Sequence, residues 1–162
     1  MRPQAGFTLV ELMVTITIMV ILLTLGTVAI AGYQANARDE ERKADVTSIA
    51  QQLESFYTAN GDYPATAQMA DEATINSTLP NLDPRALRDP LTKSEDPISL
   101  IVDTDANAPT QASLNGGKTY IYQPLTSANA LCTAATTECR KFNLYYTLET
   151  DLTVKSITST HQ

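Results

Sequence analysis

The stretch Gly6-Phe7-Thr8-Leu9-Val10-Glu11-Leu12 opens an apolar run that continues to Ala31 and carries a single charge, Glu11. Rich in Val, Ile, Leu and Met, the run over 7–31 is long enough to cross a hydrocarbon core about 30 Å thick as a helix. An ionised carboxylate in that environment costs about 2.5 to 3.5 kcal/mol on insertion scales and marks a functional site. Glu11 therefore needs a partner. Arg2 precedes the run, whereas Arg38, Arg42 and Lys43 beyond it are balanced by Asp39, Glu40 and Glu41. The positive-inside tendency then places the N-terminus in the cytoplasm.

The helical pattern continues past the apolar run. Val46, Ile49, Ala50, Leu53, Phe56 and Tyr57 recur in steps of three and four, which makes one stripe on a helix and a face for a folded domain. The charges over 38–45 include opposite-sign pairs at helical spacing, such as Asp39 with Arg42 or Lys43. They read as a solvated helix turn in which each pair contributes a few tenths of a kcal/mol. Asn60-Gly61 supplies a C-terminal cap able to take positive φ, and Pro64 prevents the helix from resuming. One helix over 7–59 would be roughly 80 Å long.

Beyond Pro64 the texture changes to Ser, Thr, Asn, Asp and Pro with short apolar pieces, so 60–162 reads as a separate head domain. A short helix is expected around 69–79. Strands are expected over 98–102, over 119–123 after the turn signal Asn115-Gly116-Gly117, over 141–149, and over 152–157. Phe142, Leu144, Tyr146 and Leu148 alternate with Asn143, Tyr145, Thr147 and Glu149, the period-two pattern of a half-buried strand. The fold class is α+β: a small antiparallel sheet leaning on the apolar stripe of a long helix.

Composition limits the function. The 162 residues carry 11 Lys+Arg against 18 Asp+Glu, a net charge of −7, which disfavours nucleic acid or anionic lipid as a general partner. Arg85, Arg88 and Lys93 form the one basic cluster of the head. An enzyme is not expected: His161 is the sole histidine, no His, Cys and carboxylate cluster has metal spacing, and no glycine-rich phosphate loop is present. The carboxylate pairs Asp71-Glu72 and Glu95-Asp96 read as solvated surface. Asp103, Asp105 and Asn107 place oxygen ligands at alternate positions like the start of a calcium loop. The following glycine and distal glutamate are missing, so a surface turn is favoured, with calcium as the alternative and no other cofactor expected. Asn76-Ser77-Thr78 has the form of a glycosylation sequon. A rival reading of the N-terminus is a secretory signal cut after Ala29-Ile30-Ala31, releasing a soluble domain from Gly32. The length of the apolar run, its carboxylate and the continuing stripe argue against it. A membrane-anchored binding protein that never polymerises would leave Glu11 unexplained.

Gly6-Phe7-Thr8-Leu9-Val10-Glu11-Leu12 followed by an apolar run resembles the prepilin signature of type IV pilins and type II secretion pseudopilins. Asn60-Gly61-Asp62-Tyr63-Pro64, Asp89-Pro90, Tyr120-Ile121-Tyr122, the Cys132 and Cys139 pair and Thr147-Leu148-Glu149 follow in the order such proteins show. The resemblance implies a pilin-like fold and a filament subunit. A membrane-embedded prepilin peptidase would remove the leader 1–6 between Gly6 and Phe7 and methylate the new amine of Phe7. Glu11 would then lie four residues on, one helical turn, and would meet the amine of a neighbouring identical subunit. The helix over 7–31 would move from the cytoplasmic membrane into the filament core with the help of a membrane assembly platform. The leading expectation is a type IV pilus subunit serving adhesion, motility or DNA uptake outside the cell, and the alternative is the major pseudopilin of a type II secretion system. Export would leave Cys132 and Cys139 free to form a disulfide, the alternative being two reduced buried thiols. Many type IV pilins carry a proline in the second half of the membrane helix; here Val28 stands in that neighbourhood. Thr24, Gly26 and Thr27 are the weak helix formers, and Gly26 is the place for local unwinding or close helix approach, with simple packing there the favoured reading.

Overall fold

The computed structural model describes residues 6–91, 100–103, 107–114, 120–135 and 138–161, with the side chains of 25–31 left aside. The chain divides into two compact units, Met1–Asn36 and Ala37–Gln162. One helix, α1 (Leu9–Asn60), supplies residues to both.

In the first unit the apolar side chains point to open space: Phe7 is 83% exposed, and Leu9, Leu12, Ile16, Val20 and Leu23 are all more than half exposed. Three threonines in this part satisfy their hydroxyls within the helix. Thr15 donates to the Leu12 carbonyl (2.8 Å), Thr17 to that of Met13 (2.7 Å) and Thr24 to that of Ile21 (2.8 Å). Such back-bonding hides the hydroxyls from an apolar surrounding. Among the described residues no helix is long and apolar enough to cross a membrane. The span expected over 7–31 extends into side chains outside the described residues, as do Gly26, Thr27 and Val28, and Arg2 is not described at all.

The second unit is built on the stripe read from the sequence. Val46, Ile49 and Leu53 are fully buried, Ala50 nearly so, and Phe56 and Tyr57 pack at the margin of the same core. α1 stops where expected: Gly61 takes φ +85°, and its N–H donates to the Tyr57 carbonyl at 2.7 Å. That positive φ strains any residue with a Cβ, which is why a glycine ends the helix. A 3-10 turn (Thr66–Met69) and a short helix α2 (Glu72–Thr78) stand where one helix over 69–79 is expected. Asp71 caps α2 by accepting from the Thr74 N–H at 2.8 Å, so half of the carboxylate pair read as plain surface has a local structural role. A second 3-10 turn (Pro84–Leu87) leads to the Asp89-Pro90 corner.

Four strands follow: β1 (Leu100–Val102), β2 (Tyr120–Leu125), β3 (Lys141–Tyr146) and β4 (Lys155–Thr158), in the order β1-β2-β3-β4. β2 and β3 are antiparallel with Tyr122 opposite Leu144, and β3 and β4 are antiparallel with Leu144 opposite Ile157. The wholly antiparallel sheet of the sequence reading is corrected at one edge, because β1 runs parallel to β2 with Leu100 opposite Tyr120. The segment 103–119 between them supplies the dozen or more residues that a parallel return requires, whereas a hairpin needs only a few. The turn signal at 115–117 lies outside the described residues. β3 ends at Tyr146, before the expected 149. Pro124 is tolerated in an inner strand because β1 pairs only with 120–122, so no ladder bond to β1 needs an N–H there, and the Pro124 carbonyl accepts instead from the Cys132 N–H at 2.9 Å.

The two faces of the sheet have different covers. Tyr120, Tyr122, Phe142 and Leu144 join the main core with α1, and Ile121 and Tyr145 form a second small cluster with Leu114. β2 is therefore buried along its whole length. At the far end of this unit Cys132 and Cys139 are joined in a disulfide, with Cα atoms 5.7 Å apart. The bridged loop holds the turn after α1: Tyr63 N–H donates to the Cys139 carbonyl (2.8 Å) and Thr66 N–H to that of Cys132 (3.1 Å). The Tyr122 hydroxyl adds a bond to the Pro64 carbonyl (2.7 Å).

Candidate functional site

The residues that carry the sequence signature lie at the start of α1. Gly6, Phe7 and Thr8 precede the helix, and Thr8 caps it: the Glu11 N–H donates to Thr8 Oγ1 at 3.2 Å and the Leu12 N–H to the Thr8 carbonyl at 3.3 Å. Thr8 and Glu11 thus occupy the first and last positions of a Thr-x-x-Glu capping sequence. A carboxylate in the first helical turn also meets the positive end of the helix dipole, a stabilisation of about 0.3 to 1 kcal/mol when exposed. The sequence reading lacks the Thr8 cap, although the Thr8 to Glu11 spacing is its usual signal. Among the described residues the Glu11 carboxylate has no ion-pair partner within the chain, and its side chain is exposed.

A Cβ built on Gly6 would meet nothing within 4 Å. Among the described residues no contact requires glycine there.

The second polar site is in the head and differs from the sequence reading. Asp39 and Arg42, taken as a solvated turn, are 3% and 0% exposed. Arg42 Nη1 donates to Asp39 Oδ1 (2.7 Å), Arg42 Nε to Asp89 Oδ2 (2.7 Å), and Arg38 reaches both carboxylate oxygens of Glu149 (2.8 and 2.6 Å). Asp39 also accepts from the Glu149 N–H (2.7 Å), the Thr150 N–H (3.0 Å) and the Thr150 hydroxyl (2.6 Å). A clasp of two cations and three anions therefore ties α1 to the Asp89-Pro90 corner and to the loop after β3. Burial alone would push Asp39 up; the Thr150 and Glu149 donors and Arg42 outweigh it and hold the carboxyl below its usual range. The Arg38 guanidinium holds Glu149 below the usual range as well. Lys43 pairs instead with exposed Glu40 (2.7 Å).

The remaining candidates are scattered. Asp103 and Asn107 flank a cleft of about 370 Å³, where Gln123 Nε2 donates to Asp103 Oδ2 (3.1 Å) and to the Asn107 carbonyl (3.0 Å). Asp105 lies outside the described residues, and among the described residues no group of three or more His, Cys, Asp and Glu is placed to hold a metal. Arg88 pairs with Glu72 at 2.7 Å, Arg85 is exposed, and Lys93, Glu95 and Asp96 lie outside the described residues. Asn76 is exposed on α2.

Comparison with known proteins adds to this geometry. The family description "Prokaryotic N-terminal methylation motif" matches residues 1–27. The chain is 34% identical over 88 residues to the type II secretion system core protein G of Aeromonas hydrophila, covering 54% of this chain and 61% of that protein. It is 33% identical over 84 residues to the core protein G of Pseudomonas aeruginosa, covering 52% and 58%, and 32% identical over 79 residues to that of Escherichia coli, covering 49% and 54%. The chain thus spans little more than half the length of these curated relatives. No solved structure matches significantly. The chain carries the prepilin-type N-terminal signature, and its curated relatives are secretion core proteins rather than surface pili, which turns the weight from the leading expectation of the sequence reading to its alternative.

Proposed function

We propose, from the premise of a prepilin-type start and likeness to secretion core protein G, that this chain is the major pseudopilin of a type II secretion system. The observation that carries the reading is the conjunction at the start of α1. A glycine that no contact among the described residues requires stands before an exposed phenylalanine, and an exposed carboxylate follows within an outward-facing apolar helix. A side-chain set of that kind is unfavourable in water and favours lipid or the helices of other subunits.

In this proposal prepilin peptidase cuts between Gly6 and Phe7 and methylates the Phe7 amine. The chain waits in the cytoplasmic membrane with its N-terminus inside, and then joins identical subunits on a membrane platform. Glu11 meets the amine of a neighbour, an interaction that offsets the desolvation of both charges. The chain acts mechanically and has no catalytic role. The domains follow the same division: leader 1–6, helix 7–59 and head 60–162.

The test is the N-terminus and intact mass of the protein recovered from cell membranes, paired with exoprotein export in a strain deleted for the chain. Methylated Phe7 as first residue and lost export are expected. A start at Gly32 or an uncut Met1 would overturn the processing. Intact export with loss of surface fibres would return the chain to the type IV pili. In the Glu11→Ala variant, normal membrane level and normal cleavage with lost export are expected; full export would remove the carboxylate from the mechanism.

A further inference from the structure

One carboxylate near the end of α1 gathers three segments of the head. Glu54 Oε1 accepts the backbone N–H of Thr160 (2.8 Å), and Oε2 accepts the Tyr63 hydroxyl (2.9 Å) and lies 3.0 Å from His161 Nδ1. The imidazole of His161 stacks on Tyr57, one turn further along α1, with ring centroids 4.4 Å apart and planes inclined by 19°. Tyr57 in turn lies against Tyr63, centroids 4.6 Å apart. The segment 159–161, which runs on from β4, is thereby fastened to the helix. Further anchors are the Ser159 N–H, which donates to the Phe142 carbonyl at 3.0 Å, and the Tyr63 hydroxyl, 3.4 Å from His161 Nδ1.

We propose that Glu54 and His161 form a proton-operated latch that fastens 159–161 to the end of α1 in mildly acid surroundings and loosens it in mildly alkaline ones. Imidazole is the side chain whose ordinary range, around pH 6.5, falls within physiological conditions. Protonated, it donates from Nδ1 to a carboxylate and presents a cation to the Tyr57 ring, so both contacts strengthen together. Neutral, it reaches Glu54 only in the tautomer with the proton on Nδ1, and it brings no charge to either contact.

The groups around the imidazole act in the same sense. Burial would raise the Glu54 carboxyl, but the Thr160, Tyr63 and His161 donors outweigh it and hold Glu54 below its usual range, so it stays ionised between pH 5.5 and 8. Tyr57 and Tyr63 face the ring from α1 and from the turn after it, and burial first and Glu54 second raise Tyr63 further above a range already alkaline, so Tyr63 stays neutral. Arg140, from the lead into β3, is engaged by Glu138 (2.7 Å) and by the Gly61 carbonyl (3.1 Å). Its charge lies beside Tyr57 and is constant across the window.

The sole histidine makes the test unambiguous. The full chain in detergent micelles is followed between pH 5.5 and 8 by the imidazole proton resonances and by amide hydrogen exchange of a peptide containing Thr160, corrected for intrinsic rates. Protection of Thr160 several-fold higher at pH 5.5 than at pH 8, changing along the imidazole titration curve, is expected. In His161→Gln, which keeps a donor but cannot be charged, the protection should become flat with pH. In Glu54→Gln it should be low and flat while the exchange of the α1 core amides is unchanged. Flat protection in the unmodified chain, or the same pH profile in His161→Gln, would overturn the latch.

Discussion

Arg42 shows how much one side chain can carry. It is buried on α1 between Asp39 and Asp89, each 2.7 Å away, with Glu149 at 3.4 Å. Removing a single member of such a set strands the others without solvent, a loss of about 3 to 5 kcal/mol. Arg42→Ala should therefore lower the stability of the head by that amount in denaturant titrations of the micelle-bound chain, while Lys43→Ala, whose partner is exposed, should stay within about 0.5 kcal/mol. The sign of the pH dependence follows from the same residues. Asp39 and Glu149 are held below their usual ranges, so their contribution is complete above the unfolded values near 3.9 and 4.3 and is lost as the pH falls through the lower folded ones. The part of the stability lost in Arg42→Ala should be level from pH 7 to about 5 and decline below about 4; a decline of that part beginning at pH 6 would exclude these carboxylates as its source.

Among the elements, α1 was the most legible, because the period of its apolar stripe is a local property. Val46, Ile49, Ala50 and Leu53 lie in the core as the spacing of three and four requires. Leu53→Ala should cost about 2 to 5 kcal/mol, read as a shift of the unfolding midpoint. The clasp beside that stripe was not legible. Asp39 and Arg42 have the spacing of an ordinary exposed pair, and the partners that bury them stand 47 and 107 residues away. The parallel edge strand was hidden for a similar reason, since pairing direction depends on the path of 103–119 and not on the pattern within either strand. The Thr8 cap was legible in principle, since a threonine three residues before a glutamate at the head of an apolar run is a helix-start signal. The disulfide is an element of its own. Without reductant, free-thiol labelling of the folded chain should give no signal. With it, the turn at 63–66 should loosen, because its backbone donors rest on the Cys132 and Cys139 carbonyls, with a loss of roughly 2 to 3 kcal/mol on loop-closure grounds.

At the scale of the whole molecule, the two units stand on different forces. The head holds a core, a clasp and a disulfide, and its fold is specified within the chain. The first unit has apolar side chains turned outward and makes no core of its own among the described residues, so its order in service depends on what surrounds it. The threonines of that unit add one consequence. Because Thr15, Thr17 and Thr24 turn their hydroxyls onto their own helix, they offer neighbours no polar landmark, and the outer surface they share is nearly featureless grease. A greased rod bearing a single charged notch can be aligned along its length without being fixed in rotation. Under the proposed function, a fibre bundled from such rods would keep the axial stagger of its subunits constant and leave its pitch free to vary under load.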